Sequence, residues 1–167
     1  MGYVPQKLNI ENSPTSVYDL ICSYTSNLPV FAYKSKKQYD RIKNHLKEFG
    51  AENLIDRKVS SLSGGELQRV MLTIATMPYP EILILDEPSA GIDKKGVIEL
   101  YNILTNIKNT QDTSIILVSH DLELVRQYAD NVILLDKKVL AKGSAKDVFA
   151  SKEFKDVFGN FNYEVVN

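Results

Sequence analysis

Apolar positions follow two different rhythms along this chain. In the first half they recur at helical spacing: Tyr39, Ile42, Leu46 and Phe49 share one face, which predicts a helix over about 36–49 with Gly50 as its stop. A second helix follows Gly65, with Leu67, Val70, Met71, Ile74 and Ala75 on its apolar face and Gln68 and Arg69 on its polar one. It has to end at Pro78-Tyr79-Pro80, because a residue before proline is disfavoured in the helical region. Beyond Pro80 the rhythm changes to unbroken four-residue runs, Ile82 to Leu85, Ile115 to Val118 and Val132 to Leu135. Such runs read as strands buried on both faces, as in a parallel sheet covered by helices. Helices expected at about 94–109, with Val97, Leu100, Tyr101 and Leu104 inward, and at about 121–129 supply the crossovers that parallel pairs need. A turn at Lys137-Lys138 then feeds a short return strand, and helices at about 145–150 and 152–158 come after it. The first third of the chain reads as irregular, then helical. The fold class is therefore α/β, with the switch in rhythm near Pro78.

Composition narrows the class. The 167 residues are 44% apolar, enough for a real core and unlike a disordered or fibrous chain. A net charge of −1, with no run of Lys and Arg longer than two, argues against direct nucleic-acid binding. The single Cys22 allows no internal disulfide and no cysteine metal cluster, which fits a reducing compartment. No apolar stretch reaches the roughly 18 residues of a membrane span, and no secretory pattern opens the chain. His45, a lone histidine beside an apolar stripe, reads as structural.

Local chemistry concentrates at three places. In "SLSGGELQR" Ser63 can cap the helix and Glu66, three residues on, can complete a capping box. That leaves Gly64 and Gly65 unexplained, since glycine inside a helix costs about 1 kcal/mol relative to alanine. A glycine pair at the positive end of a helix lets an anion reach the amides without meeting a Cβ atom. The first apolar run ends in Asp86-Glu87-Pro88 and the second in Ser119-His120-Asp121. Both lie at the carboxyl edge of strands, where open α/β sheets place ligands. Acidic residues there can hold magnesium and poise a base beside it.

Taken in order, "GYVPQ" (Gly2 to Gln6), "LSGGELQR" (Leu62 to Arg69), "ILILDEPSAGID" (Ile82 to Asp93) and "LVSHD" (Leu117 to Asp121) resemble the ATP-binding cassette ATPases. In that family these are the Q-loop, the signature motif, the Walker B strand with its D-loop, and the switch histidine. The resemblance implies ATP and Mg2+ as cofactors, and a P-loop NTPase-like nucleotide-binding domain with a mostly parallel sheet and a helical subdomain. It implies that Asp86 orients magnesium, that Glu87 is the general base, that His120 contacts the γ-phosphate and that Gln6 senses magnesium and water. Ser63, Gly64 and Gly65, with Glu66 beside them, would form the surface that holds ATP bound to the opposite subunit. Asp93 would couple the two sites across the dimer. Phosphoryl transfer needs mainly positioning and charge neutralisation, so these groups are chemically sensible.

A P-loop requires Gly, four residues, Gly, Lys and Ser or Thr. The nearest approach, Gly91 to Gly96, is followed by Val97 and Ile98 and is no P-loop. The sequence therefore resembles the C-terminal two-thirds of a nucleotide-binding domain. It is expected to divide into 1–79, carrying the Q-loop, helical subdomain and signature helix, and 80–167, carrying the Walker B strand and the rest of the core. The P-loop strand would lie between the strand ending at His120 and the one through Val132 to Leu135, so both are expected to expose apolar faces. The motif wording resembles the metal-ion import branch, zinc or manganese type. That implies a homodimeric partner cassette, transmembrane permease subunits and a peripheral place on the cytoplasmic face of the membrane. A soluble ATPase of the same family, acting in translation or repair, and a non-enzymatic truncated cassette are the alternatives.

Overall fold

The computed structural model describes residues 1–6, 13–25 and 35–159. Two compact units emerge, Met1–Val118 and Ser119–Asn167.

The first unit is built on a three-stranded parallel sheet ordered β1 (Gly2–Val4), β2 (Ile82–Asp86), β3 (Ser114–Val118). Val4 pairs with Leu85 on one side of the central strand, and Leu117 pairs with Leu85 on the other. The opening of the chain, read as irregular, holds the strand β1. Three residues are too few to show alternation, and only pairing with β2 makes them a strand. A helix α1 (Val17–Thr25) follows, then α2 (Lys36–Glu48), α3 (Gly64–Ala75) and α4 (Lys94–Thr110). Gly50 ends α2 as the spacing predicts: its φ of 63° is left-handed, and Gly50 and Ala51 donate back to Lys47 and Leu46 at 3.0 and 2.9 Å.

Two apolar clusters share α3. Val70 packs with Val17, Ile21, Ile42 and Leu46 of the helical part, whereas Met71 and Leu72 pack with Val4, Leu83, Leu85, Leu100 and Leu104 against the sheet. A helix with partners on both sides has little room for a solvated face. Gln68 and Arg69 lie outside the two apolar clusters, as the spacing predicts, yet both are part-buried and the Gln68 amide nitrogen is inaccessible. The approach of α3 to β1 is so close that a Cβ on Gly2 would lie 2.2 Å from the Ala75 carbonyl oxygen, which only glycine avoids. His45 ties α2 to the end of α3, its ring nitrogens 3.1 Å from Glu48 Oε1 and from Thr76 Oγ1. The Tyr79 hydroxyl donates to Glu48 Oε2 at 2.6 Å, and burial, first, then this bond push its pKa up. On α4 the inward set is Leu100, Tyr101, Leu104 and Ile107, with Val97 only half-buried.

The second unit holds α5 (Leu122–Tyr128), the antiparallel pair β4 (Asn131–Asp136) and β5 (Lys138–Ser144), then α6 (Ala145–Ala150) and α7 (Lys152–Phe158). Its core is Leu134, Ala145, Val148, Phe149 and Phe154. Lys137, at φ 58°, makes the turn between the strands.

Burial corrects a further expectation. The run Val132 to Leu135 joins no parallel partner among the described residues, and the apolar runs are not buried on both faces. Ile116 and Val118 on β3 are each 52% exposed, and Ile133 and Leu135 on β4 are 62% and 67% exposed. Helices cover one face of each sheet, so alternate residues stay in water.

One-sided burial makes a measurable contrast. Leu85→Ala, at a fully buried position, is expected to cost about 2–5 kcal/mol in urea unfolding. Ile116→Ala, on the open face, is expected to cost less than about 1 kcal/mol. Similar losses at the two positions would contradict this packing.

Candidate functional site

The carboxyl edge of the three-stranded sheet gathers the acidic pair. Asp86 is the last residue of β2 and pairs with Val118 of β3. Glu87 follows with φ 46°, a left-handed conformation that costs a non-glycine residue of the order of 1–2 kcal/mol. The ladder survives this turn, since the Glu87 amide still donates to the Val118 carbonyl at 2.9 Å. Both acidic residues are half-buried. Gln6 lies two residues beyond Val4, whose register partner is Leu85, so it stands at the same edge as Glu87, one strand over, and is exposed. His120 belongs to the second unit, where it is exposed and precedes Asp121, the N-cap of α5, whose Oδ1 accepts from the Leu124 amide at 3.2 Å.

The N-terminus of α3 is the second feature. Ser63 caps it as its spacing predicts: Ser63 Oγ accepts from the Glu66 amide at 3.3 Å, and Glu66 Oε2 accepts from the Ser63 amide at 2.8 Å. Arg57 donates to the other oxygen, Glu66 Oε1, at 2.7 Å. The Ser63 amide bond, first, and then the Ser63 hydroxyl and Arg57 hold the Glu66 carboxyl below its ordinary range.

The two glycines are not equivalent. A Cβ on Gly64 would sit 2.5 Å from the Gly91 carbonyl oxygen, so Gly64 is demanded by contact with the loop after β2. A Cβ on Gly65 would meet only Ile92 Cγ2, at 3.6 Å, an ordinary contact. Gly91 itself has φ 75°. Asp93, at the loop's end, caps α4 through Oδ1 and the Gly96 amide at 3.0 Å. The structure therefore brings Gly64 and Gly65 against the loop that ends at Asp93, with Ser63 and Glu66 in the same helical turn. Sequence reasoning missed that internal use of Gly64, and also Arg57 as the partner of Glu66. Facing glycines in two separate motifs were the only available signal.

A cleft of about 810 Å³, lined by α2 and residues 76–79, includes none of these residues. No group of three or more His, Cys, Asp or Glu side chains gathers as a metal cluster among the described residues. The acidic pair at the strand tip can supply only part of a cation's shell.

The sequence profile of the family described as ABC transporter matches residues 1–90. The chain belongs to this family. It is 38% identical over 161 residues to the zinc import ATP-binding protein ZnuC of Pseudomonas fluorescens, a match covering 96% of this chain and 58% of that protein. The proteins of the same name from Agrobacterium fabrum and Vibrio parahaemolyticus are each 39% identical to it. These matches cover 95% and 96% of this chain, and 50% and 58% of the two relatives. The chain thus spans little more than half the length of these curated relatives. Among solved structures, CbiO1 of Clostridium perfringens, part of the ABC transporter complex CbiONQ, is 33% identical with a TM-score of 0.72, covering 93% of this chain and 61% of that one. An inward-facing ABC transporter superposes with a TM-score of 0.82 at 23% identity, over 94% of this chain and 63% of that chain, which speaks for the fold alone. The α/β architecture expected from the sequence is that of an ABC ATPase cassette.

The glycine asymmetry is directly testable. Gly64→Ala is expected to destabilise the chain by about 1–3 kcal/mol in urea unfolding, because the added methyl has to displace backbone. Gly65→Ala should be neutral or stabilising by up to about 1 kcal/mol. The capping box gives a pH signature. A carboxyl whose folded pKa is depressed contributes stability that is full above its unfolded value, near 4.3, and is lost as pH falls through the folded value. Urea midpoints measured between about pH 6 and pH 3 should therefore fall less steeply in Glu66→Gln than in the parent. Parallel profiles would deny the box any role in stability.

Proposed function

We propose that this chain is the ATPase portion of a zinc importer, working in a dimer of cassettes bound to membrane-embedded permease subunits on the cytoplasmic face of the membrane. The observation that carries the reading is the Asp86-Glu87 pair at the tip of the central parallel strand, the second residue held left-handed and Gln6 standing one strand away. Zinc as cargo rests on the likeness to the zinc import ATP-binding proteins.

The residues fit magnesium and ATP as partial ligand sets. Magnesium is commonly held by one or two carboxylates together with phosphate oxygens and water, and Asp86 with Glu87 supplies carboxylates of that kind. The α3 N-terminus fits a phosphate: its first amides have no acceptor within the helix, Gly65 has space around it, and the Glu66 charge is compensated. Magnesium, when bound, supplies charge neutralisation at the transferring phosphate. In this reading Asp86 holds the metal and Glu87 accepts a proton from the attacking water. Gln6 orients that water and His120 contacts the γ-phosphate. Ser63, Gly64 and Gly65, with Glu66 fixing their turn, face the nucleotide of the second subunit, and Asp93 couples the two sites. The phosphate cradle for this subunit's own nucleotide has to come from residues outside these 167, which contain no P-loop pattern. The division into 1–79 and 80–167 carries over to the same proposal, with the residues between Gln6 and α3 facing the permease. No helix among the described residues is long and apolar enough to cross a membrane.

In a cassette of full family length containing these residues, Glu87→Gln is expected to leave ATP binding intact and to cut hydrolysis by about 10²–10⁴-fold, the usual share of a positioned base. The parent's ATPase should rise when permease and zinc-loaded binding protein are added. A Glu87→Gln rate within about threefold of the parent would remove the base role. Copurification with ribosomes or DNA in place of a permease would favour a soluble ATPase.

A further inference from the structure

The first turn of α3 and the loop 89–93 meet along a seam with almost no slack. The Gly64 contact with Gly91 leaves no room for a methyl group, and a Cβ on Gly96 would lie 2.6 Å from Ile92 Cγ2 and 2.8 Å from Asp93 Oδ1. The space remaining between Gly65, Gln68, Arg69, Ile92, Gly96 and Leu100 is about 10 Å³, close to the volume that admits one water molecule. Glycine contacts of this kind exclude bulk but supply no attraction of their own. The attraction comes from Arg69, whose guanidinium pairs with the Glu99 carboxylate of α4 and whose Nη1 lies 3.5 Å from the Phe49 and Gly50 carbonyl oxygens at the end of α2. The side chains are 29% and 41% exposed, so water screens the pair in part and its value is mainly in geometry. Among the described residues this is the ion pair that links α3 to α4.

We propose that Arg69 is a positioning residue: paired with Glu99, it locks the Ser63–Gly65 turn and the loop ending at Asp93 into one rigid piece, so both reach the second subunit's nucleotide in register. The role as a positioning residue for hydrolysis rests on the proposed function, whereas the lock between the two segments does not. A rigid link has a distinct signature. Breaking it should loosen both segments together, and in a working cassette it should lower turnover without weakening the subunit's own grip on ATP.

The test has two arms. In the 167-residue chain, amide hydrogen exchange is measured for Arg69→Ala and Glu99→Gln. Residues 64–66 and 91–93 are expected to exchange about tenfold faster in both variants, while the β2 amides keep their protection. In a full-length cassette, the same variants should lose about tenfold in kcat at unchanged KM for ATP. The double variant should be no worse than Arg69→Ala alone. Unchanged exchange at both segments, or loosening of one alone, would overturn the lock. Additive losses in kcat, or a rise in KM with kcat intact, would overturn the positioning role. Should Arg69→Ala fail to fold, Glu99→Gln, which keeps its shape, decides the question alone. A parent cassette without ATPase activity would defeat the proposed function, while the exchange arm would still judge the lock.

Discussion

The parallel ladder through β2 is the constraint on which the first unit depends. Leu83 and Leu85 are buried, and their backbones are paired on both sides, with β1 at one edge and β3 at the other. Because buried amides have to be paired, neither neighbour can slip without stranding donors in an apolar core. That register sets Val4, Leu85 and Leu117 side by side, and so brings the residues beyond each strand to the same edge. The tips of β1 and β2 carry Gln6 and the Asp86-Glu87 pair for this reason. Their side chains are free to be polar because the packing that holds them lies one residue back.

A second constraint arises because α3 lies between two cores. Val70 faces the helical cluster while Met71 and Leu72 face the sheet cluster. A helix gripped on two sides transmits displacement at one end to the other, since packed interiors deform little. The Ser63 turn is therefore held by the same packing that holds the sheet. The Glu66 box and Arg57 keep the helix end capped, and Gly64 allows it to touch the loop at Gly91. Capping, close approach and ion pairing serve one end of one helix.

Much of this could be read along the chain. Helix α2 and its glycine stop, the Ser63 capping box, the strands β2 and β3, the return strand β5 and the helices α6 and α7 come from spacing and cap chemistry, which are local properties. The residue types that make the chain an ABC family member stand in order in the sequence, so the family was legible there too.

The order of residues alone thus dictates local matters: where helices start and stop, which short runs become strands, and which polar residues end those strands. Which surfaces meet was decided by packing in three dimensions. It made a strand of Gly2–Val4, which has no pattern of its own, and it paired β4 with β5, leaving Ile133 and Leu135 in water. It gave Arg69, on the polar face that periodicity predicts, the partners Glu99, Phe49 and Gly50 from other elements. It assigned Gly64 to a backbone contact with Gly91, 27 positions away along the chain. Contacts between residues distant in sequence depend on packing geometry that no local window contains.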